Sequence, residues 1–233
     1  MLAAILPSAF AAFRQVLSPE LRSLFWRTLG LTLLLVGLLW YGLTRVLSYF
    51  VTAYPVSTDY PFLNAALIFF AGAGLLVGLL FILPITSALV AGFFLDEAAS
   101  IVERTDFPGD HPGQPLSLPT SIGYGFRFAG LALAVNLLAL LLILIPGVNV
   151  LAFFAANAYL LSREYFEMAA GRFRPMAEAS RLRRDNRGLV LAGGALLAGL
   201  VLIPVVNLVI PLFGIAFMVH LHKRIARRRI PAL

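Results

Sequence analysis

Cysteine is absent from the chain, which excludes a disulfide framework and any Cys-ligated metal site and leaves the redox compartment open. Charge is scarce too: charged residues make up 12% of the 233, against about 25% in an average soluble domain. Hydrophobic residues account for 61%, more than a water-soluble core can hide. The histidines are His111, His220 and His222, and the last two stand i,i+2, on different faces of any helix. No Ser-His-Asp arrangement, P-loop or HExxH pattern occurs. Asp106, Asp110 and His111 supply too few ligands for a metal in a loop. We therefore expect no catalytic residue, no metal and no cofactor, and a chain that is not an enzyme.

What the chain has instead is apolar length. Positions 28–44, 60–95, 128–162 and 188–219 contain no Asp, Glu, Lys or Arg, and the last three exceed the roughly 20 residues that cross a bilayer. The formal charge of +7 and pI near 10.4 do not indicate nucleic acid, because the basic residues flank apolar blocks instead of gathering on a soluble face. They fit the positive-inside bias and contact with anionic lipid. Met1 to Phe13 lacks a basic n-region, so no cleaved signal is expected and the chain is read as mature.

Read as a topology, the chain begins with a short amphipathic helix in the membrane interface, within 1–18, carrying Phe10, Phe13 and Leu17 at helical spacing. Ser18-Pro19-Glu20 supplies N-cap, N1 and an acidic first turn, starting a first long transmembrane helix over 19–51 with Trp40, Tyr41 and Tyr49 toward its far boundary. Tyr54 to Pro61 reads as the turn between crossings. A second long helix is expected over 61–104, crossing from Phe62 to about Leu83 and kinking at Pro84 into an interfacial run past Asp96, Glu97 and Glu103. Thr105 to Pro119, with four prolines and two glycines, reads as a loop.

The second half repeats itself. Leu144-Ile145-Pro146-Gly147-Val148-Asn149-Val150 returns 58 positions later as Leu202-Ile203-Pro204-Val205-Val206-Asn207-Leu208. Proline ends one helix and asparagine can cap the next, so both blocks are expected to be helical hairpins, 120–162 and 188–222, with Pro146, Asn149, Pro204 and Asn207 at their tips. Charge supports this. The connector 163–187 holds seven arginines against four acids, and the tail 223–233 holds Lys223, Arg224, Arg227, Arg228 and Arg229. Only hairpins put both on one side of the membrane, as the positive-inside bias requires. The expected fold class is thus all-α and integral to the membrane: two long transmembrane helices plus two membrane-inserted helical hairpins in one membrane domain.

Three stretches carry a family resemblance: Leu144 to Asn149, the connector ending Arg181-Leu182-Arg183-Arg184-Asp185-Asn186, and Ile203-Pro204-Val205-Val206-Asn207-Leu208-Val209-Ile210-Pro211. Ser18-Pro19-Glu20-Leu21-Arg22 and Phe93-Phe94-Leu95-Asp96-Glu97 add weaker matches. Together they resemble the CysZ-type sulfate permeases and their wider relatives, the etoposide-induced-protein-like membrane family, most strongly over about 140–222. The resemblance implies multi-pass insertion in the cell inner membrane, assembly into a homo-oligomer, and sulfate uptake for cysteine biosynthesis. It also implies anion contact at a Gly-Leu-Arg-Arg-like stretch, which falls here on Glu20-Leu21-Arg22-Ser23, with an acid in place of the glycine and serine in place of the second arginine.

Sulfate, a dianion, needs an arginine fork, helix N-terminal amides or hydroxyls. Leu21, Arg22 and Ser23 at the start of a helix offer these, and Arg27 lies deeper, with Asp96 or Glu97 as expected partners. Membrane lipids compete with sulfate as partners for Arg22. The alternative function is a non-transporting membrane scaffold or lipid-interacting protein with the same fold; no nucleic-acid partner is expected.

Overall fold

A computed structural model of the chain describes residues 2–53, 62, 65–66, 69–74, 94–142, 145 and 148–228. The regular elements among them are helical: α1 Leu2–Val16, α2 Pro19–Ala53, α3 at 94–106, α4 Leu118–Leu141, α5 Val148–Gly171, α6 Met176–Asp185, α7 Arg187–Val201, α8 Pro204–Asn207 and α9 Ile210–Arg228. The expected crossing from Phe62 to Leu83, its kink at Pro84, the turn at 54–61 and the tip residue Pro146 fall largely or wholly outside the described residues. The chain divides into one unit of Met1–Ser23 with Leu95–Leu233 and another of Leu24–Phe94.

Two helices are long and apolar enough to cross a membrane: Pro19–Tyr49 within α2, and Pro119–Leu141 within α4. Their apolar windows are not buried inside the protein, which separates them from the core helices of a soluble fold. Trp26, Leu33, Leu34 and Leu38 on α2, and Phe126, Leu133, Leu138 and Leu141 on α4, all face outward. Contiguous apolar surface on this scale requires an apolar solvent. Twenty-three residues at about 1.5 Å each span roughly 35 Å, enough for a hydrocarbon core of about 30 Å. The protein is a membrane protein, and its first candidate span agrees with the expected 19–51. The second is α4, which the sequence pattern places in a hairpin arm.

In the larger unit α9 is central. Ile215, Ala216, Phe217, Met218 and Val219 are buried, and α9 packs against α1, α5 and α7. Burial along α5 changes midway: Val150, Leu151 and Phe153 are exposed, whereas Ala156, Ala158 and most residues from Leu160 to Gly171 are buried. One helix thus leaves an apolar exterior and enters a packed base. It also runs nine residues past the uncharged block, into the expected connector, supported by the i,i+4 pair Arg163–Glu167 at 3.3 Å.

Both copies of the repeated motif coincide with helix breaks. Six residues separate α4 from α5, which pack together. The second break holds an extra turn, α8, which Pro204 starts and Asn207 ends, so Asn207 closes a short helix instead of capping α9. At the N-terminus, α1 runs from Leu2 to Val16. Pro7 lies inside it and costs about one intrahelical hydrogen bond. Burial of Ala4, Ile5 and Ser8 where α1 packs on α9 outweighs that loss.

The tightest packing is α5 against α7. A Cβ placed on Gly194 would collide with the Ala158 carbonyl oxygen and the Ser162 side chain, whereas one on Gly199 would meet nothing within 4 Å. Gly194→Val should therefore destabilise the folded chain by roughly 3 kcal/mol, and Gly199→Val should change little. Thermal melts of both variants in the same detergent check the contrast.

Candidate functional site

The first candidate site lies at the start of α2. Ser18 acts as the cap expected from sequence: its Oγ accepts from the Leu21 N–H at 3.4 Å, and its carbonyl accepts from the Arg22 N–H at 2.9 Å. Leu21 is buried while Arg22 and Ser23 are exposed, so a packed leucine anchors the turn and leaves a guanidinium and a hydroxyl outside. Among the described residues Arg22 has no salt bridge. Arg27 is also exposed, but five residues along α2 turn it about 140° from Arg22, so it presents to a different face of that helix.

The remaining predicted residues disperse. Glu97 is exposed on α3. Asp96, expected as a partner for Arg27, is instead held by Arg172 at 2.6 Å. Asn149 lies in the first turn of α5, where its Oδ1 accepts from the Val150 N–H at 2.8 Å. It lines an apolar groove of about 670 Å³ between α4, α5 and α7, together with Asn136, Asn157, Leu137, Phe154 and Leu202. The Asn157 amide donates to the Phe153 carbonyl of its own helix at 2.8 Å. Asn207 is exposed at the end of α8, away from this groove's lining.

What sequence reading missed is a buried ionic centre at the end of α5. The Arg172 side chain is about 1% exposed. Its Nε donates to Glu103 Oε1 at 2.7 Å and its Nη1 to Asp96 Oδ1 at 2.6 Å. Its Nη2 donates to Ser100 Oγ at 2.8 Å, to Glu103 Oε2 at 3.3 Å and to the Gly113 carbonyl at 3.4 Å. Burial opposes the charge, but the bonds to Glu103 and then Asp96 outweigh it and hold the guanidinium protonated. The loop after α3 closes over the pair. The Gly113 N–H donates to Glu103 Oε2 at 2.9 Å and the Gln114 N–H to the Arg172 carbonyl at 2.8 Å. A Cβ on Gly113 would stand 2.9 Å from both Arg172 Cβ and Glu103 Oε1, so glycine is what lets the backbone approach so closely. A second buried carboxylate, Glu167, takes Arg183 of α6 at 2.9 Å and Arg163 at 3.3 Å.

A third polar cluster joins α1, α3 and α9. His220 meets Gln15 at 3.2 Å and Asp106 at 3.3 Å, and Asp106 also meets Arg14 at 3.8 Å. Lys223 bonds Asp110 at 3.0 Å and lies 4.0 Å from the Phe173 ring centre. Of the aspartates considered as metal ligands, Asp110 is thus paired with Lys223, and Asp106 stands against His220. His222 points elsewhere, as the i,i+2 spacing requires. It stacks on Phe173 at 5.1 Å and meets Phe166 edge-on, and neither ring nitrogen has a hydrogen-bond partner among the described residues.

Two outcomes follow. Arg172→Met should cost roughly 3–5 kcal/mol by leaving the Glu103 carboxylate buried without its counter-charge; chemical denaturation of the purified chain reads the loss. The second concerns pH. Burial, with Arg174 and Lys223 nearby, pushes His222 from 6.5 down to about 3. Burial against the Asp106 attraction, with Arg224 and Arg14 adding repulsion, pushes His220 down to about 4. Both pKa values are lower in the folded chain, so on acidification the unfolded chain takes up these protons first. Stability from the neutral rings is full above about pH 6.5 and falls as pH drops toward the folded values. Glu164, pushed up to about 7 by burial, contributes with the opposite sign, so the informative measurement is a comparison. His222→Phe should lose several degrees less in melting temperature between about pH 7 and about pH 4 than the parent chain does.

No curated protein matches the chain. Residues 8–211 match the family model described as Sulfate transporter CysZ/Etoposide-induced protein 2.4, a span that includes most of α1, the Arg22 turn, the Arg172 centre and both motif copies. The chain belongs to that family.

Proposed function

We propose that the protein is a multi-pass inner-membrane permease that admits sulfate for cysteine biosynthesis and has no enzymatic activity of its own. Family membership carries the reading. The start of α2 supports it chemically. An exposed arginine, a serine hydroxyl and the positive end of a helix meet there, and a dianion shedding its hydration shell is stabilised by such groups. In this reading the α4–α5 and α7–α9 units enter the membrane as hairpins, and connector and tail share the cytoplasmic side. Homo-oligomerisation is part of the proposal too. The groove between α4, α5 and α7 is apolar and carries Asn136, whose amide can bond across to another helix.

One observation favours a second reading, a non-transporting scaffold: Glu20 places a carboxylate beside Arg22, where the resembling family has glycine.

Purified chain in proteoliposomes separates the two. The permease reading expects sulfate flux without ATP or an imposed proton gradient. Arg22→Ala should then weaken sulfate binding about tenfold, as expected for one charge-assisted arginine contact. A folded chain that passes no sulfate selects the scaffold.

A further inference from the structure

α1 is amphipathic in an unusual way. Leu6, Phe10 and Phe13 on one face, with Leu17 in the turn that follows, are 57–72% exposed, at spacings of four, three and four residues. The opposite face, Ala4, Ile5, Ser8, Ala12 and Gln15, is buried where α1 packs on α9. Interfacial helices normally carry several basic residues of their own beside the apolar face. This one has only Arg14.

The missing charge comes from α9. A cleft of about 640 Å³ opens beside α1, lined by Arg14, Lys223, Arg224, Arg227, Asp106 and His220. Its charges are not all free. Lys223 is buried and committed to Asp110, and Asp106 offsets part of the field. Three arginines remain to meet a ligand. Arg14 is 71% exposed and reaches Asp106 only at 3.8 Å; Arg227 is 63% exposed and reaches Asp110 only at 3.7 Å. Arg224 is exposed and has no salt bridge among the described residues. The cleft is therefore a set of guanidinium groups directly beside an outward apolar strip.

We infer that this cleft binds the phosphate of an anionic phospholipid, with the Leu6/Phe10/Phe13 strip of α1 and the adjoining Leu17 seated among that lipid's acyl chains. Two complementarities select the occupant. Guanidinium forks match phosphate oxygens, and an exposed strip of leucine and phenylalanine matches the headgroup–acyl boundary. A free oxyanion uses the first feature and leaves the second without a purpose. Bound lipid would fasten α1, α9 and the loop after α3 at one level of the membrane, whether or not the chain carries sulfate.

Full-length protein in zwitterionic detergent provides the test, with lipid retention read by native mass spectrometry. Each basic residue near an anionic membrane surface is worth about 1 kcal/mol, or roughly fivefold. Arg14→Gln with Arg224→Gln should therefore lower phosphatidylglycerol retention about thirtyfold without changing phosphatidylcholine retention. Arg181→Gln with Arg184→Gln, also exposed, on α6, should change neither. Equal loss in both double variants would overturn the site by showing a general charge effect, and unchanged retention in the first would overturn it outright. On the unaltered chain, short-chain phosphatidylglycerol should raise the melting temperature where short-chain phosphatidylcholine, inorganic phosphate and inorganic sulfate do not. Equal stabilisation by either inorganic anion would overturn the lipid assignment in favour of a simple oxyanion site.

Discussion

A guanidinium taken out of water must find a partner for every N–H, and Arg172 does so across three parts of the chain. Asp96, Ser100 and Glu103 come from successive turns of α3, and Gly113 from the loop that follows. The chain between α3 and α4 is rich in proline and glycine and has no regular structure of its own. Its path is set by what Arg172 and Glu103 require. With the loop fixed, Asp110 stands within reach of Lys223, while Asp106 at the end of α3 stands within reach of His220. The base of the larger unit is therefore an ordered polar core beneath an apolar exterior. That inverts a soluble protein, as expected when lipid covers one end and water the other.

Much of this is legible in the sequence because the signals are local or periodic. Uncharged length identifies α2, the proline-bearing motif locates both helix breaks, and the proline and glycine density marks the loop between α3 and α4. The Ser18 cap and the divergent faces of His220 and His222 follow from spacing alone. What stays hidden depends on contacts distant in sequence. Arg172 bonds residues 69 and 76 positions away, and in the chain it is one arginine among seven in a basic segment. Its burial, which no periodicity encodes, is what distinguishes it. Pro7 inside α1 is a related case, since the burial that offsets its missing hydrogen bond comes from α9, far away in sequence.

The candidate site divides in the same way. The α2 N-terminus assembles from adjacent residues, so the order Ser18-Pro19-Glu20-Leu21-Arg22 is enough to name its capping serine and outward arginine. The residues expected at the hairpin tips do not join it. Asn149 belongs to an apolar groove and Asn207 to a separate short helix. Arg27 turns to another face of α2, and Asp96 is already engaged by Arg172. Among the described residues, the polar groups beside Arg22 are thus those of the turn itself, the Ser18 and Ser23 hydroxyls at the positive end of α2.

The unbroken course of α5 has a mechanical meaning. Its first turns border the groove that holds Asn149, and its last residues adjoin Arg172. A continuous hydrogen-bonded helix transmits axial displacement with little loss over this length. A displacement of α5 along its axis would therefore load the Arg172 bonds to Glu103 and Asp96. The apolar end and the ionic base are therefore carried on one helix.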